Sequence, residues 1–247
     1  MVGSSAVRDA ATVALLRDGA AGIEVFLLRR VAGMAFAGGM TVFPGGSVDP
    51  SDGVDSIGWT GPEPAAWSAA LSAGERLSRA LVCAAVRETF EESGVLLAGS
   101  GAGATDADRL GLERHELTLA QLLTRLDLPV RADLLRPWAH WITPEDEPRR
   151  YDTRFFIAAL PPGQEARDGT SEAEVAEWVR PADALTQHAA GRRAMLPPTV
   201  VTLRELAAFA IVAGAWAAAA DREIMPIMPR LSGSTAILPD GEAIGLP

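Results

Sequence analysis

The stretch from Glu75 to Gly94 constrains this chain more than any other. It is rich in helix formers, and Gly94 is placed to end the helix in a left-handed residue. Residues three and four apart share a helix face, so Glu88, Glu91 and Glu92 project together. Like charges crowded at the negative end of a helix destabilise it, by roughly 0.2–0.5 kcal/mol per exposed pair. A fold that keeps them has to bring positive charge nearby. Arg87 supplies part of it, and hard divalent cations with oxygen ligands would supply far more. For a bare Arg-Glu-x-x-Glu-Glu pattern, a simply solvated acidic face is the competing reading.

The charge inventory narrows the chemistry. All 22 basic residues of the 247 are Arg, which removes Schiff-base lysines and the P-loop lysine and leaves phosphates to Arg, metal or backbone. The net charge of −10 argues against a nucleic-acid partner, which is ordinarily met by a basic face. A small anionic substrate remains compatible if bound cations invert the local charge. With 48% hydrophobic residues the chain can bury a substantial core. The lone Cys83 can form no internal disulfide and no hydrophobic leader is visible, so a cytoplasmic location is expected. The most apolar run, Ala207 to Ala220, is shorter than the about 20 residues of a membrane-spanning helix.

Periodicity and turn residues lay out one α/β domain. Ala11–Leu16 and Gly22–Arg30 read as a hairpin, and the glycine-rich stretch Met34–Gly46 as a short strand entering a tight loop. Helix formers begin at Ala65, break near Ser72–Gly74, and resume from Glu75 to Ser93. Gly99–Asp108 reads as a loop and Leu117–Leu126 as an amphipathic helix. Leu134–Thr143, Thr153–Leu160 and the stretch from Glu172 to Val179 follow as strands. Ala182–Ala190 and Pro198–Ala220 follow as helices, the second apolar almost all round and therefore core or a subunit contact, compatible with a homodimer. The expected domain spans 8–224, with a tail from 225 to 247 lying extended over its surface.

The segment Arg87-Glu88-Thr89-Phe90-Glu91-Glu92-Ser93-Gly94-Val95 resembles the second half of the Nudix box. That motif runs Gly, five residues, Glu, seven residues, then Arg-Glu-U-x-Glu-Glu-x-Gly-U, with U a bulky aliphatic residue. Gly46, closing Phe43-Pro44-Gly45-Gly46, is similar to the opening Gly, and Asp52 stands where the box has Glu. Two features depart from the pattern. Forty residues separate Gly46 from Arg87 where the box has thirteen, and Thr89 occupies an aliphatic position. The 27-residue excess, placed within an insertion at about 47–80, resembles the peroxisomal-type acyl-coenzyme A diphosphatases, whose box is split in this way. Phe43-Pro44-Gly45-Gly46-Ser47-Val48-Asp49, Trp141-Ile142-Thr143-Pro144 and Arg150-Tyr151-Asp152-Thr153-Arg154-Phe155-Phe156 are similar to that branch as well.

The resemblance implies a Nudix fold, an α/β/α sandwich around a mixed sheet in a single domain with an insertion. It implies a diphosphatase using Mg2+ or Mn2+. Glu91 and Glu92 would bind metal, Glu88 would bind metal or act as base, Arg87 would orient the carboxylates, and the Gly46 carbonyl would complete the coordination. A further acidic ligand is expected in a later loop at Glu172, with Glu174 second. Phe43, Gly45, Arg150 and Arg154, with Arg149, are candidates for holding the substrate. A coenzyme A signature is only partly matched: Leu27, Leu28 and Gly39 fit, but Ala35 stands in place of an Arg and Arg29 in place of a Thr. The expected substrate is a nucleotide derivative, with coenzyme A or acyl-coenzyme A leading, ADP-ribose or NADH second, and a non-catalytic binding module as the rival class. His115, His140 and His188 lack metal-ligand spacing, and Cys83 is expected in the core.

Overall fold

The computed structural model describes residues 6–33, 37–167 and 173–247. Strands β1 (Arg8–Gly19) and β2 (Gly22–Arg30) form the expected hairpin. After them come β3 (Thr41–Val42), β4 (Gly45–Ser47), a 3₁₀ turn at Pro50–Gly53 and β5 (Trp59–Thr60). Helices α1 (Pro64–Leu71), α2 (Glu75–Ser93), α3 (Asp106–Glu113) and α4 (Leu119–Leu126) follow. Then come β6 (Val130–Arg131), β7 (Leu135–Ile142), β8 (Tyr151–Ala159) and β9 (Ala173–Val179). Helices α5 (Pro181–Ala189), α6 (Pro197–Leu206) and α7 (Val212–Ala220) lead to the short strands β10 (Pro226–Ile227), β11 (Arg230–Ser232), β12 (Thr235–Ile237) and β13 (Ala243–Gly245).

The main sheet is mixed, in the order β10-β7-β8-β1-β2-β3, with β4 also on β1 and β9 also on β2. The β1–β8 and β7–β10 pairings are parallel and the others antiparallel. Because side chains alternate across a strand, β1 feeds two cores at once. Val13 and Leu15 pack with α1 to α4, whereas Ala14 and Leu16 pack with α5 to α7. A strand covered on both faces reads as a continuous apolar run, which is why Ala10 to Leu16 is so poor in polar residues. The result is the expected α/β/α sandwich.

Helix α2 is the centre of the first layer. Ser78 to Arg87 is buried without interruption, and Gly94 ends the helix with φ 74°. Thr89 fills its aliphatic position by donating its hydroxyl to the Ala85 carbonyl at 2.7 Å. That back-bond satisfies the only polar atom of a side chain otherwise shaped like Val. Cys83 is fully buried, and burial pushes its thiol up to about 12.

Three expectations are revised. The stretch Gly99–Asp108 holds the start of α3, capped by Thr105 and Asp108 in a reciprocal capping box. The apolar run after Pro198 is two helices, because Asp18, at the end of β1, accepts a 2.7 Å hydrogen bond from Val212 N and so supports the start of a new helix there. The tail, expected to lie extended over the surface, is made of short extended strands that are paired and partly anchored in the core. β10 adds to β7, β11 to β13 form an antiparallel meander, and Leu238 and Ile244 join the second core. Among the described residues no helix is long and apolar enough to cross a membrane.

The insertion is anchored rather than loose. Buried Arg79 donates to the carbonyls of Val54 and Ile57, and the Trp67 indole donates to Pro62 O. β5 pairs in parallel with β6. Arg154, 3% exposed, donates from Nε to Leu71 O at the end of α1 and pairs with Asp9 and Asp152. Arg154→Ala therefore leaves buried acceptors and two carboxylates without their cation. A loss of about 3–5 kcal/mol is expected from the denaturant midpoint; a variant of unchanged stability would mean that the side chain is free for another role. Asp152 also accepts from His140 Nε2. Burial opposes its charge, but the His140 hydrogen bond and the Arg154 charge prevail and hold its carboxyl below the ordinary value. Its stabilisation is thus complete at neutral pH and fades as pH falls through that lowered value. Asp152→Asn is expected to be less stable than wild type at pH 7, with the gap closing as pH falls below the ordinary Asp value of about 3.9; a gap constant as pH falls would show the charge to be irrelevant.

Candidate metal centre and substrate cleft

The two ends of the split motif meet. Strand β4 lies antiparallel to β1, with Gly45 opposite Thr12 and Gly46 opposite Ala11, and so brings the glycine pair against α2. Gly45 N donates to Glu92 Oε2 at 2.8 Å. A Cβ on Gly45 would lie 2.6 Å from Ala11 O, and one on Gly46 would lie 2.6 Å from Glu88 Cδ. At Gly45 the neighbours are backbone and only glycine permits the approach, whereas at Gly46 a Cβ would instead push the Glu88 carboxylate aside.

Arg87 is the hub of this junction. Its Nε and Nη2 donate at 3.0 Å to the two carboxylate oxygens of Asp52, its Nη2 also donates at 2.8 Å to Ser47 O, and its Nη1 serves Glu88 at 2.7 Å and Glu91 at 3.2 Å. Asp52 is fully buried and is itself held by the 3₁₀ turn, where Asp49 N donates to its Oδ2. Burial works against charge on both partners of the Arg87–Asp52 pair. It raises Asp52, whereas on Arg87 the hydrogen bonds it donates to Asp52 and the surrounding carboxylates outweigh burial and favour the cation. The two-pronged geometry is that of an ion pair, and it decides the matter in favour of both groups being charged.

The acids beyond Asp52 are under-compensated. Burial raises Glu88 and Glu91, only partly offset by Arg87, and each also feels like charge, Glu88 from Glu91 and Glu91 from Asp52. One guanidinium faces three carboxylates: Asp52, Glu88 and Glu91. Among the described residues no three His, Cys, Asp or Glu side chains already enclose a single point. The donor chemistry nonetheless suits a hard cation, since the groups at the junction able to ligate one are carboxylate and carbonyl oxygens and the local charge is short of positive.

These groups open onto a cleft of about 690 Å³. Gly45, Gly46, Arg87, Glu88, Glu91 and Glu92 line it on the polar side, and Phe43, Trp141 and Phe155 are among its apolar lining. Phe43 and Gly45 thus both face the cleft. Arg150 and Arg154 are not part of the lining, which corrects the expectation that they grip phosphates. Arg150 Nε donates to the carbonyls of Thr143 and Pro144, and Arg154 is occupied as described above. Arg149 is exposed. Glu172 lies outside the described residues. Glu174 is not in the lining and instead pairs with Arg29. Sequence reasoning missed Arg30, Glu113 and His115, all of which face the cleft. Glu113 is close enough that its charge contributes to raising Glu91. The signal for it was the capping box Thr105-x-x-Asp108, which announces α3.

The description "NUDT19 Nudix domain" belongs to the family model that matches residues 71–206, more than half of the chain. The chain belongs to this Nudix family. The matched region contains α2 and all four motif residues from Arg87 to Glu92, while the Gly45–Gly46 turn precedes it and the meander follows it. Putative nudix hydrolase 7 of Caenorhabditis elegans is 30% identical over 185 residues, 74% of this chain and 55% of that protein. Acyl-coenzyme A diphosphatase NUDT19 of Xenopus laevis is 28% identical over 232 residues, 76% of this chain and 60% of that protein. The chain therefore spans well under two thirds of the length of these relatives. A crystal structure of a NUDIX hydrolase from Alicyclobacillus acidocaldarius superposes with a TM-score of 0.72 at 30% identity, covering 86% of this chain and 96% of that one.

The Nudix junction makes a stability prediction. Asp52→Ala removes the one carboxylate that engages both Nε and Nη2 of buried Arg87, and a loss of about 3–5 kcal/mol is expected in chemical denaturation. Stability within 1 kcal/mol of wild type, on the order of an exposed pair, would show that the pair does not hold the junction.

Proposed function

We propose that this Nudix chain is a divalent-metal-dependent diphosphatase acting on coenzyme A or an acyl-coenzyme A. The observation that carries the reading is the meeting of Glu88, Glu91 and Glu92 with the Gly45–Gly46 turn at the edge of a cleft, across a 40-residue interruption of the motif. Clustered buried carboxylates destabilise the fold, and a site without turnover has no evident use for them. The substrate class is supported by the relatives named acyl-coenzyme A diphosphatase.

In this reading Glu91, Glu92 and the Gly46 carbonyl hold Mg2+ or Mn2+, with Glu88 as a further ligand or as the base. Bound metal would neutralise the diphosphate and lower the pKa of the attacking water. Arg87 keeps Glu88 and Glu91 in place by charge-assisted hydrogen bonds, and Asp52 keeps Arg87 in place. Gly45 N fixes the Glu92 carboxylate from the other side. Burial holds Glu88 above the ordinary carboxylate value, and a bound cation beside it would favour its charged form. Phe43 and the neighbouring apolar lining exclude water from one side of the bound substrate. The products would be adenosine 3',5'-bisphosphate and the corresponding phosphopantetheine.

Purified protein incubated with coenzyme A and Mg2+ or Mn2+ is expected to release those two products, resolved by chromatography. Unchanged coenzyme A under both metals would remove the leading substrate, and AMP from ADP-ribose or NADH would install the alternative. Glu92→Gln is expected to lower kcat by at least about 100-fold, equivalent to roughly 2.7 kcal/mol, with an unchanged melting temperature. Gly46→Ala should act in the same direction, because its Cβ displaces the Glu88 carboxylate. Full rate in both variants would refute the assignment.

A further inference from the structure

The cleft has a second wall that the motif does not describe. Leu231 and Ala236, from β11 and β12, line it together with Leu196 and Pro197 at the start of α6 and with Phe43, Trp141 and Phe155 from the sheet. The meander that carries Leu231 and Ala236 is fixed in place twice. β10 pairs with β7 at His140 and Trp141, and Leu238 and Ile244 are buried in the second core. It is therefore a built wall rather than a loose end.

Trp141 presents apolar ring surface to this wall: it is 3% exposed and lines the cleft beside Phe43 and Phe155. The cleft therefore combines an acidic junction suited to metal and diphosphate with a compartment walled by apolar side chains from the sheet, α6 and the meander. A nucleotide alone would use only the first. The combination matches an amphipathic substrate whose diphosphate carries an arm that ends in a hydrocarbon chain.

We propose that the C-terminal meander, through Leu231 and Ala236, forms with Trp141 an acyl-selecting compartment, making the segment after α7 a determinant of chain-length preference. This rests on the acyl-coenzyme A reading above. Met225 and Met228 do not belong to the compartment. Neither lines the cleft, and Met228 Sδ instead contacts Arg150 Nη2.

The test compares coenzyme A with acetyl-, hexanoyl- and decanoyl-coenzyme A, by kcat/KM with Mg2+ and, independently of turnover, by calorimetric Kd. Complete burial of a methylene gives a ceiling of roughly fourfold in affinity for each one added. An overall decanoyl preference of at least tenfold over coenzyme A is expected in wild type. Leu231→Trp and Ala236→Phe fill the compartment and are expected to cut that preference at least fivefold. Affinities that do not depend on chain length in wild type overturn the proposal, as does a decanoyl preference that survives both filling variants. If no coenzyme A species is hydrolysed, the proposed reaction fails. The Kd series then still decides whether the compartment takes an acyl chain. Leu231→Ala, at a half-buried position on the meander, guards against misfolding of the larger substitutions and should shift the preference toward longer chains; an unchanged preference in that variant also counts against the compartment.

Discussion

The Arg87–Asp52 pair is the interaction on which the site depends. Arg87 rides on α2, the helix buried most completely in the first layer, and Asp52 sits in a 3₁₀ turn just beyond β4. With both groups desolvated, neither can relax into water without a large penalty, so the glycine turn and the helix are held in one register. The same guanidinium reaches Ser47 O on β4 and two further carboxylates on its own helix. A single cation thus sets the positions of the backbone turn and the acids together. Specific geometry follows because a planar five-donor fork can satisfy all of these acceptors at once, which a point charge such as an ammonium could not.

This arrangement explains how a motif can tolerate so long an interruption. The chain leaves the site after Asp52, and Arg79 on α2 then gathers the carbonyls of Val54 and Ile57. It passes through α1, whose last carbonyl is taken by Arg154 from β8, and re-enters at Glu75. Each end of the excursion is tied to the core by a buried arginine, so the inserted residues do not pull on the junction. The cost of closing a longer loop grows only slowly with its length. What matters is that the two ends return to the same place, and the arginines ensure that they do.

Much of this was legible in the sequence, for identifiable reasons. The boundaries of α2 could be read because Ser72–Gly74 and Gly94 punctuate it, and β1 and β2 because their apolar runs flank a short turn. The clustering of Glu88, Glu91 and Glu92 followed from helical spacing alone. The misreadings share one cause, which is that local pattern carries no information about partners distant in the chain. Arg150 and Arg154 look like a phosphate grip because an arginine-rich turn says nothing of the buried carbonyls and aspartates waiting for it. The helix break before Val212 depends on Asp18, 194 positions away. The tail resembled a surface strap because its strands are two or three residues long, too short for alternation to register, and are stabilised by β7 and by one another. Glu113 was the exception, a residue whose helix a capping box did announce.

The corrected placement of the arginines changes the electrostatics of substrate entry. Without Arg150 and Arg154 the described cleft has Arg30 and Arg87 as its arginines, set against Asp49, Glu88, Glu91, Glu92, Glu113 and Glu147. A diphosphate approaching such a surface from a chain of net charge −10 is repelled unless cations precede or accompany it. Arg87, already spent on three carboxylates, has little to offer a phosphate. Under the proposed reading, recognition of the anionic end would come chiefly from metal, and discrimination between substrates from the part of the cleft where charge is absent. That division of labour follows from a polypeptide that contains no lysine and commits its buried arginines to holding its own backbone.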